Sequence, residues 1–174
     1  RWSERISPLG SQFYLARTEN MFRESIQEEY NWAAAAEWAD SIGVDIIQSS
    51  VGYNVFTSVQ APNHTYSELD GNTAIITKAA DIAASKGILV INSAGNEGLT
   101  NWEHVLFPAD GDSVLAVGAT MQGGERAGYS SIGPTADGRI KPDVVAPGEG
   151  VDIVTGYGVR REGGGTSYAS PLIA

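Results

Sequence analysis

Two short stretches hold the residues best suited to chemistry. The first is Gly163-Gly164-Gly165-Thr166-Ser167-Tyr168-Ala169-Ser170-Pro171. Three glycines let backbone approach backbone, and the small residues and Pro171 that follow suit the first turns of a helix. A serine at such a junction has an exposed hydroxyl. The free N–H groups and positive dipole end of the helix stabilise negative charge developing beside it. Taken in isolation, however, Thr166 or Ser167 reads as a helix cap, and only the surrounding context favours chemistry there. The second stretch is Ser93-Ala94-Gly95-Asn96-Glu97-Gly98, directly after the aliphatic run 88–92. There an Asn side chain can donate a hydrogen bond into a cleft while Gly95 keeps the approach open, and the competing reading is a plain Asn-Glu-Gly turn. A third piece, Ser49-Ser50-Val51-Gly52, follows another apolar run at 44–48.

These pieces need elements to position them. Residues 23–42 place Ile26, Tyr30, Ala34, Trp38 and Ile42 one turn apart, which predicts an amphipathic helix buried along that stripe. Glu24, Glu28, Glu29, Glu37 and Asp40 then form its solvated face. Gly43 suits the helix end, and residues 44–48 read as a short buried strand. The unit recurs: a helix over 72–86 with Ile75, Ala79, Ile82 and Ala83 on one side, then Gly87, then a strand over 88–92. Further β-rich runs lie at 114–119, 127–131, 143–146 and 152–157, and residues 12–17 look like another strand upstream. Residues 53–71 are polar, aromatic and aperiodic, as in an insertion or functional loop. Continuous aliphatic strands alternating with helices predict an α/β fold with a mostly parallel sheet covered on both faces. Ligands then bind at the carboxyl ends of the strands.

At 174 residues the chain has the length of one domain, and its hydrophobic fraction of 42% suffices for a packed core. A formal charge of −10 argues against nucleic acid as a partner. Zero cysteines exclude disulfides, thiolate metal sites and a cysteine nucleophile. No run approaches the ~18 apolar residues of a membrane span. The start at Arg1 and the stop at Ala174, inside an apparent helix, suggest a piece of a longer chain.

Six motifs in register resemble the subtilisin-like serine proteases, the subtilases. Gly165 to Pro171 is similar to that family's nucleophile motif, 94–98 to its oxyanion-hole motif and 50–52 to its substrate-binding strand. Phe107-Pro108 with 114–119, then 129–134 and 145–148, fall where the family has comparable blocks. The resemblance implies a three-layer, doubly wound sheet and a serine endopeptidase acting on proteins or peptides outside the cytoplasm or at the cell envelope. It makes Ser167 the nucleophile, with Asn96 and the Ser167 N–H holding the oxyanion. It implies that Ser50, Val51 and Gly52 pair with extended peptide, helped by Gly165 and Thr166, and that Ser93, Ala94 and Gly95 wall the S1 pocket. Leu106 would stand at the bottom of that pocket, making it shallow and apolar. No cofactor is required for the chemistry; some subtilases hold a structural calcium through backbone carbonyls of the loop matching 108–114.

The family's Asp and His motifs are absent. Asp40 sits at a helix end, and His64 and His104 read as surface histidines. The resemblance therefore implies that residues 1–174 are the C-terminal part of a peptidase domain, incomplete at its N-terminal side and inactive alone. The alternative is a peptide-binding module without chemistry. A strand missing between 12–17 and 44–48 would leave an open sheet edge and favour a dimer or swapped assembly. A Gly-x-Ser-x-Gly elbow, a phosphate loop and an EF-hand from Asp110 all fail on their required residues.

Overall fold

The computed structural model describes residues 10–20, 22–57 and 62–174. Helix α1 (Gln27–Ser41) leads to strand β1 (Ile46–Ser49), and α2 (Ile75–Ser85) leads to β2 (Leu89–Ser93). Strands β3 (Leu115–Thr120) and β4 (Val144–Pro147) follow, then the hairpin β5 (Val151–Val154) and β6 (Arg160–Gly163), then α3 (Thr166–Ile173). The four main strands lie in the order β1-β2-β3-β4, all parallel, with Ile47 opposite Val90, Asn92 opposite Ala116 and Gly118 opposite Val145. Side chains alternate across this sheet and divide the core in two. Val90 and Ala116 pack with Trp32 and Ala36 of α1 and Ile76, Ala80 and Ala83 of α2. Ile91, Val117 and Ala146 pack on Ala169 of α3. The α/β expectation and the three layers hold.

Both predicted helices form, but each buries a stripe displaced from the expected one. In α1, Tyr30, Ala34, Trp38 and Ile42 are exposed, while Glu28, Glu29, Trp32, Ala36 and Ala39 are buried. Positions 29, 32, 36 and 39 follow helical spacing as well as the expected set does, and the glutamates are satisfied where they lie. Glu28 accepts the N–H groups of Asn20 and Ser25 at 2.7 Å each. Glu29 accepts the Ile76 N–H at 3.1 Å, which caps α2 in the absence of a side-chain cap of its own. In α2 the buried residues are Ile76, Thr77, Ala80 and Ala83, and Ile82 is exposed.

Residues 12–17 form no strand. Part of this segment and β1 line a common groove of about 480 Å³, with Tyr14, Leu15, Trp38, Ile46 and Gln48 among its walls. Residues 127–131 form a turn rather than a strand, with Ser130 N–H bonded to Ala127 O at 2.9 Å. The segment 53–71 is tied into the core: Tyr53 and Phe107 exchange backbone hydrogen bonds at 3.1 and 3.3 Å, and a 3₁₀ turn (Tyr66–Glu68) is closed by a Thr65/Glu68 capping box. The unpredicted β6, Arg160–Gly163, is polar and owes its existence to pairing with β5.

Candidate active site

The carboxyl ends of β1 and β2 and the amino end of α3 converge. Ser50 follows β1, Asn96 follows β2, and Ser167 is the second residue of α3. Gly165 precedes the helix at φ 151°, ψ 153°, a backbone that L side chains rarely adopt. A side chain there would also point toward the Asn96 amide.

Thr166 locks Asn96 in place. Its backbone N–H and its hydroxyl both donate to Asn96 Oδ1, at 2.9 and 3.0 Å, and the hydroxyl in turn accepts the Gly95 N–H at 3.3 Å. With Oδ1 engaged by α3, the Asn96 NH₂ group is left as the donor facing outward, and Asn96 is exposed. Ser167 is half-buried, and its carbonyl accepts the Ser50 hydroxyl at 3.2 Å. Gln48 donates to the Ser50 and Ser170 hydroxyls at 3.0 and 3.2 Å, so one amide ties the end of β1 to α3. Sequence reasoning passed over Gln48 and Ser170; only the packing of α3 under β1 brings them together.

Leu106 occupies the space between two glycines. A Cβ on Gly52 would lie 2.6 Å from Leu106 Cδ1, and one on Gly95, at φ 110°, would lie 2.8 Å from Leu106 Cγ. Leu106 is buried, and its N–H bonds to Ala94 O at 2.9 Å. Val51 and Gly52 lie half-buried on one side of it, and Ser93, Ala94 and Gly95 are buried on the other.

Both histidines are half-buried rather than fully on the surface. The His64 side chain is 10% exposed and its Nε2 lies 2.6 Å from Glu29 Oε1, with Nδ1 3.7 Å from Glu68. Its ring packs against Phe107 and Phe56 at centroid distances of 4.4 and 5.4 Å. Burial of the ring opposes its charge, but the Glu29 hydrogen bond and the charges of Glu29, Glu68 and Asp110 outweigh that, raising the His64 pKa above 6.5. His104 rests on Tyr66 at 4.3 Å, with a buried Nδ1 lacking a partner. Both rings were expected outside because a lone His in a polar segment gives no sign of burial. Among the described residues no imidazole hydrogen-bonds Ser167, so these residues provide the serine with no general base.

For metals, the one carboxylate cluster among the described residues is Glu19, Glu24 and Glu28, with oxygens within 4.8 Å of one another. Glu28 already serves two backbone N–H groups, and the Tyr53 hydroxyl donates to Glu19. Burial, reinforced by Glu28 and Glu19, pushes the Glu24 carboxyl upward. No described helix is long and apolar enough to cross a membrane.

Comparison with known proteins identifies relatives of the chain. The chain is 34% identical over 148 residues to Subtilisin NAT of Bacillus subtilis subsp. natto, covering 84% of this chain and 33% of that protein. Subtilisin DY of Bacillus licheniformis is 34% identical over 139 residues, covering 79% and 43%. The chain thus spans less than half the length of these relatives. Among solved structures, the prenylagaramide maturation protease PagA superposes with a TM-score of 0.63 at 25% identity, over 83% of this chain and 46% of that one. The sequence profile of the subtilase family matches residues 11–174, and the chain belongs to that family.

Proposed function

We propose that the protein carrying this chain is a serine endopeptidase in which Ser167 attacks a peptide carbonyl to give an acyl-enzyme. The Asn96 NH₂ and the Ser167 N–H bind the oxyanion. The observation that carries this reading is the double hydrogen bond from Thr166 to Asn96, which sets an outward donor beside a serine at a helix N-terminus. Residues 1–174 act as the C-terminal portion of one peptidase domain, and the base and its orienting carboxylate come from residues outside these 174. Fluorophosphonate labelling tests this: the full-length protein should label and its Ser167→Ala variant should not. Silence from a folded full-length protein would favour the peptide-binding module instead. Export follows from the same reading and would place the labelled protein in the extracellular or envelope fraction.

Substrate backbone lies along Ser50, Val51 and Gly52, near Gly165 and Thr166, with the P1 side chain between that segment and Ser93-Ala94-Gly95. Leu106 closes the bottom of this slot, so P1 residues are small and apolar. Leu106→Gly is expected to raise kcat/KM for P1 Phe or Leu relative to Ala by roughly 10- to 200-fold. A preference of the parent enzyme for P1 Arg or Lys would refute the assignment.

The open edge of β1 supports self-association of the chain by itself. Among the described residues β1 pairs with β2 alone, and Ile46, Trp38 and Tyr14 are exposed around that edge. Sedimentation of residues 1–174 should show a dimer or larger species; a compact monomer would count against it.

A further inference from the structure

The loop of residues 108–114 is where the family resemblance would put a structural calcium on backbone carbonyls, and its donor set does not fit one. Pro108 O accepts the Gly111 N–H at 3.0 Å, Asp110 O accepts Arg139 Nη1 at 2.6 Å, and Val114 O accepts Lys141 Nζ at 2.8 Å. The buried Asp110 carboxylate is shared between the Thr77 hydroxyl at 2.6 Å and the Gly71 N–H at 3.0 Å. A metal ion would have to displace an ammonium and a guanidinium that already sit on these oxygens.

Lys141 is the more deeply placed of the two cations, at 5% exposure. Its Nζ lies 2.8 Å from Val114 O and 2.8 Å from Asp143 Oδ2. The same Oδ2 accepts the Ala116 N–H at 2.7 Å, and Asp143 N–H returns a bond to Ala116 O at 3.0 Å. The ammonium therefore stitches the lead-in of β3 to that of β4. Its backbone is held as well: a Cβ on Gly133 would lie 2.6 Å from Lys141 O and 2.9 Å from Lys141 N. A buried carbonyl and a partly exposed carboxylate converging on the buried Lys141 ammonium are hard-oxygen ligands of the kind calcium takes. A lysine with three donors satisfies them by hydrogen bonding and balances the carboxylate charge.

We propose that Lys141, seconded by Arg139, is the resident cation of this loop: the side-chain ammonium stands where the oxygens would otherwise gather a metal ion. Segment 108–114 is thereby indifferent to calcium, and a metal site lies one substitution away. Lys141→Glu replaces the ammonium with a carboxylate facing Val114 O and Asp143, which repel it until a divalent cation joins them.

Hydrogen–deuterium exchange of peptides covering 108–114 tests this in the full-length protein, with Ser167→Ala introduced to prevent self-cleavage. With Lys141 intact, exchange should be the same in EDTA and in millimolar calcium chloride. Lys141→Met should exchange about 10- to 100-fold faster, with or without calcium, because two charged hydrogen bonds are lost. Lys141→Glu should be fast in EDTA and slowed at least about tenfold by calcium. Calcium-dependent protection with Lys141 in place, or parental protection in Lys141→Met, would overturn the proposal. The Lys141→Met comparison decides by itself if Lys141→Glu does not fold.

Discussion

Ser167→Ala in the full-length protein is expected to lower kcat for peptide hydrolysis by about 10⁶-fold, a figure borrowed from the nucleophile of a subtilisin rather than obtained from this structure. In the proposed mechanism the hydroxyl forms the acyl-enzyme, and neighbouring hydroxyls are engaged elsewhere: that of Ser50 is turned onto the Ser167 carbonyl and that of Ser170 accepts from Gln48. Asn96→Ala should act on the same step with a smaller loss, about 10²–10³ in kcat, again a subtilisin value. In the proposed mechanism its donor meets charge that exists only in the transition state, so KM should stay near that of the parent. Steady-state kinetics on one peptide substrate, with both variants checked for folding by circular dichroism, separates the outcomes. An Asn96→Ala enzyme with unchanged kcat would remove the oxyanion assignment even if Ser167→Ala were dead.

Glu29→Ala should cost about 3–5 kcal/mol of stability, a large fraction of the 5–15 kcal/mol typical of a domain. Glu29 is fully buried and serves two groups at once, the His64 ring at 2.6 Å and the Ile76 N–H at 3.1 Å. Removing it strands an imidazole among Phe56 and Phe107 and leaves the start of α2 without its acceptor. Urea unfolding of the full-length protein carrying Ser167→Ala measures the loss; a change below about 1 kcal/mol would sink the argument.

A pH dependence accompanies it. Because the folded-state pKa of His64 lies above 6.5, the native state holds the proton more tightly than the unfolded chain. The stability from this contact is complete below pH 6.5 and is lost as the pH rises through the raised value. Glu29→Gln, which can still accept the Ile76 N–H but carries no charge, should flatten that alkaline decline. An unaltered pH profile in Glu29→Gln would place the decline elsewhere.

What the residues alone made legible is the part that depends on short-range pattern. The aliphatic runs ending near Gln48 and Asn92 read as parallel strands and form them, but only β2 is buried as expected; β1 leaves Ile46 exposed because it lies at the margin of the sheet. Gly165-Thr166-Ser167 and Gly95-Asn96 lie at strand or helix ends. The fold class follows from that local grammar, whereas the family and the two candidate catalytic side chains came from the resemblance of the motifs to those of the subtilases. What the tertiary structure alone decided is every choice between two locally equal options. α1 carries two stripes of correct spacing, and the greasier one, Tyr30 to Ile42, stays outside because Glu28 and Glu29 find backbone N–H groups and a histidine 8 to 47 residues away in sequence. Residues 12–17 have strand composition but pair with none of the described strands, and a strand exists only as a pair. Lys141 looks like any surface lysine until β3 and β4 come together and surround it with a carbonyl and a carboxylate. Periodicity reports how apolar a side chain is, whereas burial of a charged one depends on partners that the fold brings from far along the chain.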